Sequence, residues 1–71
     1  MFDYTKLLGL MRKLKISQRK LAEISGICYA TLNLKFCNKG FFNQEEIYKI
    51  SKILNISSQK IGEYFYVKYE D

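Results

Sequence analysis

Seventy-one residues with a formal charge of +5 leave room for one small domain with a modest core. Apolar residues make up 48% of the chain, too many for a disordered tail. No apolar run approaches the roughly 20 residues that a membrane-spanning helix needs. The start MFDYTKLLGLMRK has no leading basic region and no small-residue cleavage site, so a cytoplasmic location is expected.

The inventory also removes most catalytic chemistry. Without His there is no Ser-His or Cys-His pair. The four glycines, Gly9, Gly26, Gly40 and Gly62, stand singly, so no phosphate-cradling loop forms. Cys28 and Cys37 cannot complete a four-ligand zinc site on their own. A helical pattern between them puts them beyond the roughly 7 Å reach of a disulfide. They are expected to be reduced thiols with a packing role. No catalytic residue, metal site, cofactor or small-molecule ligand is expected.

The first predicted element spans residues 4–14, with Asp3 as N-cap and Leu7, Leu8, Met11 and Leu14 on one buried stripe. Lys15 and Ile16 break that pattern. Ser17 caps a second helix, 18–25, with Leu21 and Ala22 inward and Ile24 a further candidate. Gly26 suits the left-handed φ that stops a helix, and Ile27 seals the turn. A third helix, 28–36, places Leu32 and Phe36 on one face. Asn38 and Gly40 permit a turn. Asn43 and Glu46 have the spacing of a capping box and open a fourth helix on Ile47, Ile50 and Leu54, widened by Ile53. Ser57 caps a short fifth helix to about Tyr64, with Ile61 and Phe65 inward. The aromatic ending YFYVKYED reads as a short strand or an ordered tail.

These elements predict an all-α, compact five-helix domain over residues 1–71, with its core at about 4–65 and a tail at 66–71. The tight joint between the second and third helices is the informative feature. Eight helical residues, a Gly-Ile turn and nine more follow the layout of a DNA-binding helix-turn-helix. Ala22 is small where the two helices cross.

Charge is distributed to match. Between Asp3 and Glu23 stand Lys6, Arg12, Lys13, Lys15, Arg19 and Lys20, with no acid among them. Such a one-sided field suits a polyanion, although a solvated lysine surface is the plainer alternative.

The segment Ser17-Gln18-Arg19-Lys20-Leu21-Ala22-Glu23-Ile24-Ser25-Gly26-Ile27-Cys28-Tyr29-Ala30-Thr31-Leu32-Asn33 resembles the helix-turn-helix of the phage Cro/CI repressor family, also called XRE-like. Its Ser-Gln, Leu-Ala, Gly-Ile and Thr-Leu pieces stand at that family's spacing. Glu46 to Ser57 resembles the family's fourth helix and its Leu-Gly-Ile-Ser exit, with Asn55 in place of Gly. Lys35 departs from an apolar position of the family, and Cys37-Asn38-Lys39 replaces its Asn-Gly-Lys turn. The likeness covers about residues 4–65 and implies a lambda-repressor-like domain.

It also implies a site. A helical wheel with Leu32 and Phe36 inward puts Tyr29, Ala30, Asn33 and Leu34 on the remaining arc, with Tyr29 and Asn33 read as best aligned. Asn33 has the donor and acceptor to read adenine, and Ala30 and Leu34 suit a thymine methyl. The Tyr29 hydroxyl suits a base or a phosphate, and Thr31 adds another hydroxyl. The resemblance places Gln18 against a phosphate or as a brace for the recognition helix. Arg19, Lys35 and Lys39 are candidate phosphate contacts. Arg12, Lys13 and Lys15 read as general field. Each has a plainer reading, as helix start, surface cover or solvated cation.

A recognition helix of about nine residues spans roughly 13 Å and reads few base pairs, so a homodimer is expected, at least on DNA. The resemblance places dimerisation at the chain's end, where Tyr64, Phe65, Tyr66, Val67 and Tyr69 are available; the plainer reading is that these rings close the core. The expected function is a sequence-specific transcriptional regulator, a small Cro-like phage or prophage repressor on double-stranded operator DNA, with no membrane partner. The competing reading is a protein-interaction module of the same fold, an antitoxin or an antirepressor.

Overall fold

Side-chain oxygens cap the second and fourth helices, while the first has Tyr4 rather than the expected Asp3 at its N-cap and is preceded by an Asp3 turn. The computed structural model describes residues 1–68. Helix α1 runs Thr5–Lys13. The Asp3 carboxylate accepts from the Thr5 hydroxyl at 2.6 Å and from its backbone N–H at 2.9 Å. Those two bonds hold the Asp3 carboxyl below its ordinary pKa. Helix α2, Gln18–Ser25, begins where the Ser17 hydroxyl accepts the Lys20 N–H at 3.0 Å. Helix α3, Tyr29–Phe36, follows after three residues. Helix α4, Gln44–Leu54, opens with a complete capping box. There the Asn43 side chain accepts the Glu46 N–H at 2.8 Å, and Glu46 accepts the Asn43 N–H at 2.9 Å. A 3₁₀ turn, Ser58–Lys60, leads into α5, Ile61–Phe65.

Left-handed residues terminate four helices: Lys15, Gly26, Asn38 and Asn55, with φ of 60°, 78°, 62° and 57°. After α1, α3 and α4 the next residue folds back in the same way. Ile16 donates to the Met11 carbonyl, Lys39 to that of Leu34, and Ile56 to that of Ser51. These are Schellman closures with non-glycine residues at the left-handed position, a conformation that costs a side chain roughly 1–2 kcal/mol. Asparagine tolerates it best.

The core is formed by Tyr4, Leu7, Met11, Leu21, Ala22, Leu32, Phe36, Ile47, Ile50, Leu54 and Phe65. Helix α2 packs on both α3 and α4, and α1 packs on α5. One end of the core is aromatic. Phe42 lies edge-to-face with Tyr4, Phe36 and Phe65 at centroid distances of 5.4–5.6 Å, the separation such pairs favour. Burial raises the pKa of the Tyr4 hydroxyl, and the neighbouring Tyr66 adds to the effect. The radius of gyration, 11.2 Å, equals the roughly 11 Å of one compact domain of this length.

The architecture is all-α, as the periodicity predicts. Several details differ. Leu14 lies at the helix end and is 43% exposed, because the chain turns away at Lys15 before its side chain can reach the core. Ile24 is 50% exposed and is not inward. Both cysteines are free and exposed, so packing is not their role. Ser57 precedes the 3₁₀ turn without a side-chain cap bond. Among the described residues, the last stretch contributes an isolated antiparallel bridge, Phe2 with Lys68, and a bond from the Asp3 N–H to the Val67 carbonyl at 2.6 Å. Tyr69 and the two residues after it lie outside the described residues. Among the described residues, no helix is long and apolar enough to cross a membrane.

Candidate functional site

Helices α2 and α3 are joined by Gly26, Ile27 and Cys28. Gly26 adopts the left-handed conformation, and its N–H closes α2 on the Ala22 carbonyl at 2.9 Å. The Ser25 hydroxyl accepts the Ile27 N–H at 3.2 Å and tightens the corner. Ala22 is buried where α2 meets its neighbours, and Leu32 and Phe36 root α3 in the core.

That rooting determines what α3 presents. Tyr29, Ala30, Thr31, Asn33 and Leu34 are exposed. At about 100° per residue, Leu34 lies diametrically opposite the buried Leu32–Phe36 line, with Ala30 and Thr31 within about 60° of it. Asn33 and Tyr29 fall on the flank, about 80° and 40° from the buried line. The expectation that Tyr29 and Asn33 are best aligned is therefore corrected: the crest of α3 is Ala30, Thr31 and Leu34.

The two flanks are held differently. On one side the Arg19 guanidinium stacks over the Tyr29 ring at 4.5 Å, joining the start of α2 to the start of α3. This cation–π contact orients Tyr29. On the other side Lys35 reaches Glu46, with Nζ at 2.5 and 2.6 Å from the two carboxylate oxygens. Both side chains are only 15% exposed. Lys35 is thus not the free surface cation expected for a phosphate contact. Its charge is neutralised by the carboxylate that also caps α4. Burial raises the pKa of Glu46, but the bonds from Lys35 and Asn43, with the charges of Lys35 and Lys49, outweigh it and hold the carboxyl below its ordinary value.

Gln18 occupies the first position of α2 and is half-buried, and its side-chain Oε1 has no hydrogen-bond partner among the described residues. It lines an open cleft of about 470 Å³ between the end of α1 and the start of α2. Leu8, Met11 and Ile16 give that cleft an apolar floor, and Arg12 and Lys15 stand at its sides. Arg12 and Lys15, expected to supply only a general field, are thus brought beside the α2 N-terminus, which favours anions. The left-handed turn at Lys15 achieves this, and no spacing rule announces it. Lys39 is exposed just beyond α3. The exposed Cys28 precedes α3, where the backbone N–H groups of Thr31 and Ala30 lower the pKa of its thiol.

At the chain's ends, Phe65 is 2% exposed and belongs to the core, which removes it from any dimer surface. Tyr64 is half-buried with the Lys6 ammonium 5.4 Å from its ring. Tyr66 and Val67 are exposed, and Tyr66 packs edge-on against Phe2. Phe41, 74% exposed, meets Phe2 from another side. Asn38 ties this region down: its side chain accepts the Phe2 N–H at 2.7 Å and donates to the Phe2 carbonyl at 2.8 Å.

Residues 1–68 match the family described as "Protein of unknown function (DUF739)". The chain belongs to that family. No curated protein matches it. In this DUF739 protein the family match takes in α1 to α5 and the turns that shape the exposed face of α3.

Proposed function

We propose that this protein is a sequence-specific DNA-binding transcriptional regulator, a small repressor of the Cro/CI type from a phage or prophage. The observation that carries the proposal is a helix rooted in the core by Leu32 and Phe36 that leaves five consecutive-face residues exposed beyond a tight Gly26 turn. An α-helix of this size fits the major groove. Ala30 and Leu34 suit thymine methyls, Thr31 adds a hydroxyl, and Asn33 and Tyr29 supply hydrogen bonds from the flank. Gln18, Arg12, Lys15, Arg19 and Lys39 suit the phosphates on either side, positioning the helix without specifying sequence. Lys35 has a structural role instead. It fastens α3 to the start of α4.

Two copies on half-sites about one DNA turn apart would supply the affinity that one short helix lacks. The exposed Phe41, Tyr66 and Val67 are the surface proposed for pairing. Repression follows from occupying an operator and excluding polymerase.

Titration with duplex DNA from the flanking region, at rising salt, tests this. The expected result is an affinity whose logarithm falls linearly with the logarithm of salt, as each phosphate contact releases a counterion. Absence of binding at about 50 mM salt, where such contacts are strong, together with a stable complex with another regulator, would establish the antitoxin or antirepressor reading instead.

A further inference from the structure

Away from α3, the outer surface of α4 carries a second feature. Two depressions of about 330 and 300 Å³ lie side by side along it and share Tyr48 and Lys52, one helical turn apart. Ile56 and Ile61 line the first, and Ile24 and Ile53 line the second. Tyr48 is 62% exposed and Ile24 50%, large apolar groups left in water on a chain that buries its other isoleucines at least partly. Lys49 and Lys52 stand on this surface, and no acidic residue lines either depression. The Lys52 ammonium rests 5.4 Å from the Tyr48 ring and makes no ion pair among the described residues. In the floor, the hydroxyl of the buried Ser51 also has no hydrogen-bond partner. None of these residues belongs to the DNA-contact set.

We infer that this α4 groove is a docking site for an acidic amphipathic segment of another protein. Apolar side chains with Lys52 between the two depressions and Lys49 at the second complement a helix that carries aliphatic or aromatic side chains on one face and carboxylates beside them. Charge argues against a second copy of this chain, since a self-facing contact would oppose cation to cation. Shape argues against a bilayer. Only Ile24 and Tyr48 protrude while Ile53, Ile56 and Ile61 are recessed and half-buried, a smaller protruding apolar face than interfacial insertion needs. The surface would let the regulator engage a protein while α3 engages DNA.

The test is an amide chemical-shift titration of the full chain with two synthetic helical peptides of equal length. Each has leucine and phenylalanine on one face. One carries glutamates on the flanks and the other lysines. The expected result is saturable perturbation at Ile24, Tyr48, Lys52 and Ile56 by the acidic peptide, at least tenfold tighter than by the basic one. Ile24→Ser with Tyr48→Ala should weaken acidic-peptide binding at least tenfold while leaving net charge, fold and DNA affinity unchanged. Both side chains are at least half exposed, so the double variant should fold. Lys49→Gln with Lys52→Gln should weaken it severalfold by a second route. No saturable shift at these residues, equal response to both peptides, or binding to phosphatidylserine vesicles without binding to the acidic peptide would overturn the inference. DNA binding is read separately, so loss of either activity leaves the other intact.

Discussion

Leu34 illustrates how a single side chain changes meaning once its helix is anchored. In the linear sequence it is one more apolar residue; opposite Leu32 it becomes the crest of α3, 47% exposed. Leu34→Ala is expected to leave stability nearly unchanged and to flatten sequence preference, lowering affinity for the preferred site about tenfold more than for random DNA. Asn33→Ala, on the flank, should show the same kind of selective loss, measured by competition between the two DNAs. Equal losses on both DNAs would mark these residues as mere surface. The flank cation Lys35 behaves oppositely, because Glu46 holds it. Glu46→Gln is expected to cost about 1–3 kcal/mol in denaturant unfolding by leaving Lys35 without its counter-charge. The sign of the pH effect follows from the depressed pKa of Glu46. The pair's stabilisation is complete above the unfolded glutamate value of about 4.3 and disappears as pH falls through the lower folded value. The difference in stability between wild type and Glu46→Gln should therefore shrink below about pH 4.

The helices themselves are largely legible because their signals are local. Ser17, Gly26 and the Asn43–Glu46 box lie within a turn of the ends they define, so α2 and α4 start and stop where the residues indicate. Gly26 has open space where a Cβ would stand, yet its φ of 78° is one that side chains rarely adopt. Gly26→Ala is accordingly expected to cost about 1–2 kcal/mol from backbone strain alone, lowering Tm by several degrees in a domain of this size. An unchanged Tm would show that the corner is not strained by a side chain. The end of α1 is less legible. Leu14 continues the apolar period of α1, but the left-handed Lys15 ends the helix before it, and nothing about lysine marks that conformation.

At the scale of the whole molecule, what the sequence conceals is long-range. Asn38 holds Phe2 from 36 positions away, and Lys35 meets Glu46 across a turn. Phe42 reads as a loop residue and becomes the hub of the aromatic core. Asn38→Ala removes two bonds to Phe2 and the side chain that best tolerates left-handed φ, so it is expected to destabilise by about 1–3 kcal/mol in denaturant unfolding. Loss of that tie should also loosen the seam of Phe2, Phe41 and Tyr66 proposed for pairing. The charge imbalance is legible at once, but its use is not. The fold gathers Arg12 and Lys15 beside Gln18 and the α2 N-terminus, and it places Lys49 and Lys52 on a separate face. The most direct test of DNA recognition is selection of bound duplexes from a random pool by the full chain. The expected result is one enriched motif with two-fold symmetric half-sites about 10 base pairs apart; recovery of an unenriched pool, with no retention even at low salt, would contradict it.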